Sequence, residues 1–524
     1  VLSDRHHPPA RRVLAALLMA LLPGWAAAQG FDPAKVDWEK LSKIPMQDFF
    51  IKQFNDKCGS CHGEDLRGTT LGPALVGVPL KGGETVQQLA RSIAAGAVDK
   101  GMPTWSETLP EQQIYNLALY VSEQRQGTTI LDKRANIELR IPTDVVRTER
   151  ASFRVETVAR GLDALPFAIE PLPDGRILLS ERTQGLSIIG RDGTKTPVEG
   201  TPPVYGDLGS FLGQVVGFGW MLDVALHPDY KQNGWIYLHH TDRCSDCNEL
   251  SRKAKRPVSM NRLVRGRIRD NRWVDEEVLW TADIATYTDT TDLAAGGRLA
   301  FDDQGYVYFS VGMKAALDWQ GVQDLTLPYG KVHRLHDDGR IPADNPFVTT
   351  PGAVKSTWTY GHRSTQGLAF DPRTRTLWAT EMGPRGGDEL NRLVGGGNYG
   401  WPIFTNGINY DGRPVNGAKL TGITLKPEDT IFPVVDLTPA QGISSLIAYR
   451  GREFPRWKNS LLVGTLRATD LLRMEVRDGQ VVHTEVLLED IARVRDIAQG
   501  PKGELYVLLE NAAGSQIVRL KAAR

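Results

Sequence analysis

One short pattern recurs through the last two thirds of the chain: a turn, then a β-rich run with partial alternation. The copies are Pro173-Asp174-Gly175 before RILLSE, Asn233-Gly234 before WIYLHH, Asp303-Gln304-Gly305 before YVYFSV, Arg375-Thr376 before LWATE, Lys458-Asn459 before SLLVGT and Lys502-Gly503 before ELYVLL. A single unit of this kind cannot bury its own apolar face, so the repeats must stack. Radial stacking also limits exposed strand edges. Six copies within residues 151–524 predict a mainly β fold, a six-bladed β-propeller. A pair of β-sandwiches is the alternative, but whole-unit spacing without a break in composition speaks against it. The 53 glycines and 31 prolines suit a turn-rich chain. Basic and acidic residues balance at 62 each, which excludes a whole-domain basic footprint for nucleic acid.

The N-terminal part is different. Arg5, His6, His7, Arg11 and Arg12 precede the apolar run VLAALLMALL at 13–22, and Ala26-Ala27-Ala28 follows. That order is a secretory signal peptide, so residues 1–28 are expected to direct export to the periplasm and to be removed. The run is too short to cross about 30 Å of hydrocarbon comfortably, so no membrane span is expected in the mature chain.

Cys58-Gly59-Ser60-Cys61-His62 is a C-x-x-C-H motif. Two thiols at this spacing can form thioethers to one haem, and the adjacent imidazole falls under the iron. Met102, flanked by Gly101 and Pro103, is the candidate sixth ligand, and His/Met ligation raises the potential for electron transfer. Helical patterns occupy 86–95 and 111–124, the second with Ile114, Leu117, Ala118 and Val121 on one face. This region resembles class I cytochromes c and implies a small all-α cytochrome c domain, 29–126, with one haem c. Residues 127–150 have no clear period and read as a linker.

Propellers present ligands on loops at the mouth of the central channel, so the loops beside the repeated strands are where chemistry is expected. Glu381-Met382-Gly383-Pro384-Arg385-Gly386-Gly387-Asp388-Glu389 is rich in glycine and charge. Its main-chain carbonyls suit a hard cation such as calcium. Gly361-His362-Arg363-Ser364 precedes another strand, and Arg493-Val494-Arg495 puts two guanidiniums on one face of an extended segment. Guanidinium forks match carboxylates.

Leu226-His227-Pro228-Asp229-Tyr230, Ile341-Pro342-Ala343-Asp344-Asn345-Pro346-Phe347, Gly361-His362-Arg363, Gly383-Pro384 with Asp388-Glu389, and Gly397-Asn398-Tyr399-Gly400-Trp401-Pro402 occur in this order. The set resembles the soluble glucose and aldose sugar dehydrogenases that use pyrroloquinoline quinone (PQQ), over most of 155–522. The resemblance implies a six-bladed propeller. It also implies a Ca²⁺ held by the main-chain oxygens of Gly383 and Pro384 together with PQQ. Arg363 would lie over the quinone carbonyls, and Arg493, Arg495 and Arg467 would neutralise the PQQ carboxylates. Arg467 stands where that family generally has lysine.

The chain also departs from the family pattern. Where the family has its general-base histidine, this chain has Ala294, in Ala294-Ala295-Gly296-Gly297-Arg298-Leu299. Ser364 replaces an asparagine, Met382 a polar residue, and Gly312-Met313 lacks the usual acidic side chain. Asp292, two residues from Ala294, is the candidate substitute base if the segment is a strand. Asp289, His240, His333 and His336 are further candidates, while His227 reads as a packing histidine in a turn. Asn248 stands where a second haem would need histidine, so Cys244 and Cys247 are expected, outside the cytoplasm, to form a local disulfide, with a metal clip to His239 or His240 as the alternative.

The expected activity is oxidation of a small-molecule sugar or other alcohol by PQQ. Electrons would pass to the fused haem and on to a respiratory acceptor such as a soluble cytochrome or an oxidase. The alternative is a catalytically degenerate propeller that serves as a docking module for the cytochrome.

Overall fold

The computed structural model describes residues 49–128, 137–207, 209–211, 214–314 and 319–523. The expected signal peptide, 1–28, lies outside the described residues.

Three main helices build the N-terminal domain: α1 (Phe49–Phe54), α2 (Val86–Ala95) and α3 (Glu111–Gln126). Helix α2 starts with a capping box, in which the Thr85 side chain accepts from the Gln88 amide and Gln88 answers back. Helix α3 starts after Pro110 and stops at Gly127, which takes the left-handed conformation. Ile114, Leu117, Ala118 and Val121 are buried, as their spacing predicts. So are Asn116, Ser122 and Glu123, on helix positions the apolar stripe does not reach. A second surface therefore covers α3, and it belongs to the propeller.

Each of the six repeated runs forms the second strand of a separate sheet. The innermost strands are Pro166–Pro171, Met221–Leu226, Gly296–Phe301, Thr365–Asp371, Ile443–Ala448 and Arg493–Gln499. Each touches the next, and the last touches the first, so the ring closes. The last sheet is shared between the chain's two ends: Arg493–Gln499, Leu505–Glu510 and Ser515–Ala522 are joined by Ser152–Leu162, and Val146–Arg147 adds a fifth strand. Phe153 fastens this closure, with its ring edge-on to Phe454 at 6.0 Å and to Trp457 at 5.8 Å. All three are buried. Phe153→Ala should cost about 3–5 kcal/mol of stability.

The segment expected as a linker needs correction. Residues 129–136 lie outside the described residues, but the stretch after them belongs to the propeller surface. Leu139, Ile141 and Val146 pack on the last blade's core, and Arg140 donates its amide to the Ile491 carbonyl. Apolar residues spaced without a period still bury when a sheet edge lies beside them.

Candidate functional site

The haem-attachment motif lies where α1 runs into a π-helical turn, Asn55–Gly59, followed by the single turn Ser60–His62. Such turns are frequent at functional sites. Cys58 and Cys61 are unbridged and half-buried. Burial, and then Cys61, push the Cys58 thiol up to about 11. His62 Nδ1 lies 2.8 Å from the Pro73 carbonyl oxygen, which leaves Nε2 as the ring's ligating atom. Met102 exchanges two backbone hydrogen bonds with Ala97 that close its loop. Gly72 lies against Cys61 so tightly that a Cβ there would meet the Cys61 carbonyl at 2.9 Å. Two thiols, a ring with its far nitrogen fixed and a loop methionine are a donor set that fits haem c.

The quinone-family residues come together at one end of the channel. Arg363 lies in the turn just before the innermost strand of the fourth blade. Its amide donates to Glu381, Nη1 donates to the Met382 carbonyl at 2.9 Å, and Nη2 to Tyr410 Oη at 3.4 Å. The guanidinium carbon lies 5.5 Å from the Trp401 ring centre. Glu381 is fixed in turn by His362 Nδ1 at 2.8 Å, and His362 Nε2 pairs with Thr359. Arg363 Nε is buried without a hydrogen-bond partner.

The glycine-rich loop is pinned across a blade boundary. Asp388 accepts from the Gly383 amide at 3.0 Å and from the Ile443 amide, on the next blade, at 2.9 Å. Burial raises the Asp388 carboxyl, and burial followed by Glu381 raises Glu389 well above the ordinary range. The turn is too tight for any side chain at Gly383, where a Cβ would meet the Gly386 carbonyl at 2.1 Å. Arg363, Glu381, Gly383, Gly387, Glu389 and Trp401 line a small cleft of about 10 Å³, room for about one water molecule. Among the described residues no cluster of three or more His, Cys, Asp or Glu side chains could hold a metal ion.

Arg493 and Arg495 both reach Glu510: Arg493 Nε donates at 2.8 Å and Arg495 Nε at 2.6 Å. Burial alone would raise Glu510, but Arg495, Arg493 and Arg182 together pull it down to about 2. Burial in turn lowers Arg495 to about 9. Arg182 escaped the sequence reading. It is buried beside Trp220, its guanidinium carbon 5.1 Å from that ring's centre, and its Nε lacks a partner. Arg467 is only lightly held, Nη1 lying 3.5 Å from the Ala440 carbonyl. Three guanidiniums around one carboxylate, with unpartnered N–H edges on Arg182 and Arg363, fit a tricarboxylate such as PQQ.

The base candidates fare differently. Asp292 is not on a strand. It opens a 3₁₀ turn, Asp292–Ala294, so the shared-face argument fails. Its carboxylate is also spent. One oxygen takes Ser259 Oγ at 2.7 Å and the Lys314 ammonium; the other takes Thr241 Oγ1 at 2.5 Å and the Gly219 amide at 2.7 Å. Its assignment as a base is therefore withdrawn. Lys314 was not singled out from sequence, although its positive φ of 35° marks a special position. Burial lowers its pKa against the pull of Asp292. Asp289 is paired with Arg256. Burial lowers His333 to about 3 and His240 to about 4. His333 is held by Ser356 and the Pro328 carbonyl, and the His336 ring lies against Tyr306. His227 closes its own turn by accepting the Asp229 amide at 2.9 Å. Ala294 itself joins an apolar cluster of Met313, Trp319, Val322, Trp401 and Val415. Cys244 and Cys247 form the local disulfide.

Comparison with known proteins agrees with this architecture. Residues 163–519 match the glucose/sorbosone dehydrogenase family, and 52–121 match the cbb3-type cytochrome c oxidase subunit III family. The aldose sugar dehydrogenase YliI of Escherichia coli K12 is 35% identical over 369 residues, 70% of this chain and 92% of that protein. Quinoprotein glucose dehydrogenase B of Acinetobacter calcoaceticus is 26% identical over 71% of this chain and 88% of its own length. The crystal structure of the Escherichia coli soluble aldose sugar dehydrogenase in its apo form superposes with a TM-score of 0.62 at 32% identity, covering 71% of this chain and all of that one. The chain thus belongs to the glucose/sorbosone dehydrogenase family, its six-bladed propeller preceded by a fused cytochrome c domain.

Proposed function

We propose that this protein is a periplasmic quinoprotein dehydrogenase that oxidises a sugar or other alcohol with PQQ and passes the electrons to its own haem c. One observation carries the reading: Arg363, with a buried Nε that lacks a partner, lines a cleft together with the glycine-rich loop, in a chain that also holds a haem domain. Kinship with a protein named an aldose sugar dehydrogenase and one named a quinoprotein supports the substrate class and cofactor.

Arg363, Arg467, Arg493 and Arg495 hold PQQ, with Arg182 as a fifth cation behind them. Gly383 and Pro384 hold Ca²⁺ through main-chain oxygens. When bound, PQQ supplies a two-electron acceptor for the hydride of an alcohol carbon. The chain's part is electrostatic. Arg363, braced by Glu381 and Met382, presents positive charge where negative charge develops, at no cost in reorganisation. Ala294 cannot take the hydroxyl proton, and Asp292 has no free lone pair for it, so the proton leaves through water. Residues 1–28 direct export, and a soluble cytochrome or an oxidase reoxidises the haem.

The test uses haem-loaded protein with PQQ and Ca²⁺, mixed anaerobically with sugars and simple alcohols while the haem bands are followed. PQQ-dependent haem reduction by one substrate is expected, together with its loss in Arg363→Ala. Absence of PQQ binding by titration would overturn the reading. It would favour a second one, a propeller that docks the cytochrome without catalysis, to which the apolar setting of Ala294 points.

A further inference from the structure

The haem domain sits on the very loops that build the cleft. Arg385, next to Pro384, forms a two-pronged pair with Glu123 of α3: Nε donates at 2.9 Å and Nη2 at 2.6 Å. Both side chains are at most 2% exposed. The Arg385 guanidinium carbon lies 3.7 Å from the centre of the Phe50 ring of α1. Arg385 also exchanges backbone hydrogen bonds with Ile408, at 3.1 and 2.9 Å. Ile408 is buried in the haem domain's core cluster, the cluster against which Cys58 packs.

The turn that follows, 409–413, faces both ways. On the haem side, Asn116 Nδ2 donates to the Gly412 carbonyl at 3.0 Å, and Tyr115 Oη donates to the Asn406 carbonyl at 2.7 Å. A Cβ on Gly412 would meet the Phe50 ring at 2.5 Å. On the cleft side, Tyr410 Oη accepts from Arg363. One packed path thus runs from the haem-attachment cysteine through Ile408 and Arg385 to Pro384. A second contact links the same turn to Arg363.

We propose that residues 406–414, with Arg385, form the coupling element between the haem and the quinone cleft: docking of α1 and α3 seats Tyr410 and Pro384, and electrons cross here. This rests on the function proposed above. An alcohol carbon losing two electrons and two protons becomes a carbonyl; the protons go to water, and the electrons leave the cofactor singly. Each reduces one ferric haem to ferrous, and a one-electron carrier such as a soluble c-type cytochrome reoxidises the haem between the two. Arg385 and Glu123 are positioning residues, because they act through the loop they hold. Low-dielectric pairing of this kind fixes one geometry and not several.

The test uses the full haem-loaded chain. Gly412→Ala wedges the interface without touching any group assigned to cofactor binding. It is expected to slow substrate-driven haem reduction at least tenfold, and to slow reduction of a small soluble dye at the cleft several-fold less. Small-angle scattering, which needs neither PQQ nor activity, should show a larger radius of gyration. The charge swap Arg385→Glu with Glu123→Arg should keep the compact shape, whereas Arg385→Glu alone should lose it. If Gly412→Ala keeps wild-type haem reduction, or if every variant scatters like wild type, the coupling element is overturned. Loss of PQQ binding and dye reduction in the wild type would overturn the functional reading. The docking surface would still be judged by scattering.

Discussion

Two sides of the same channel mouth have been treated differently by the sequence. On one side Arg182, Arg493 and Arg495 surround Glu510, and Arg363 is braced by Glu381 and Met382. Its arginines and glutamates are charged groups that meet one another or a backbone carbonyl. On the other side the position expected to hold a base is Ala294, set among Met313, Trp319 and Trp401, with a saturated Asp292–Lys314 pair behind it. The first side is built to hold an anion. The second is built to be filled. Anion recognition and proton removal are therefore separable properties of this scaffold, and loss of one leaves the other's geometry standing.

The largest effect that sharpens this contrast is on stability. Lys314 and Asp292 are completely buried, so Lys314→Met strands a carboxylate among only neutral donors. Breaking a buried pair from one side costs about 3–5 kcal/mol. The double variant Lys314→Met with Asp292→Asn should recover most of that loss, because no charge remains to be desolvated. Urea midpoints of the two variants and wild type measure it. A single variant as stable as wild type would mean that the pair is not a structural one.

How far this contrast was legible in the sequence differs by level. The six repeated runs each mark the second strand of a blade, because turn chemistry and β-branched or aromatic content are local. The C-x-x-C-H motif and the arginines at strand starts were legible for the same reason. Asp292 misled: it opens a 3₁₀ turn that Thr291 precedes, and a short polar segment carries no period that separates a turn from a strand end. The Arg385–Glu123 pair was invisible because its partners lie 262 residues apart. Helix α3 did carry a sign. Its buried Asn116 and Glu123 sit off the apolar stripe, yet a polar residue on a helix normally means solvent, and only the docked propeller says otherwise.

The next prediction tests the filled side directly. Ala294→His restores a ring where the resemblance places the base. A positioned base contributes about 10²–10⁴ in rate. Insertion into the Met313–Trp401 cluster costs about 1–3 kcal/mol through overpacking, so part of the gain is lost to misplacement. A rise of about tenfold in PQQ-dependent sugar oxidation is expected, with a new pH limb near neutrality from the imidazole. An unchanged rate with an intact fold would place proton removal elsewhere and break the comparison on its second side.

The smallest effect is the pH dependence of stability, and the channel's charges predict its shape. Glu510 has its folded pKa depressed to about 2, below its ordinary 4.5. Between these values the unfolded chain binds the extra proton, so stability rises with pH and is lost as pH falls toward 2. At the acidic end of the same channel the sign reverses. Burial, then Asp223 and Asp496, raise Glu170 to about 8. Burial also raises Asp223 to about 7, despite the nearby Arg298. Their folded pKa values exceed the unfolded ones, so between about 4 and 8 the folded state holds protons the unfolded state has released, and stability falls as pH rises. Melting temperature should therefore climb steeply above pH 2, peak on the acidic side of neutrality and decline toward pH 8. Glu170→Gln should flatten the decline and leave the climb unchanged, while Glu510→Gln should weaken the climb alone. A decline that survives Glu170→Gln and Asp223→Asn together would place its source in the other carboxyls that burial raises, Asp388, Glu389 and Asp496, and not in the Glu170–Asp223 pair.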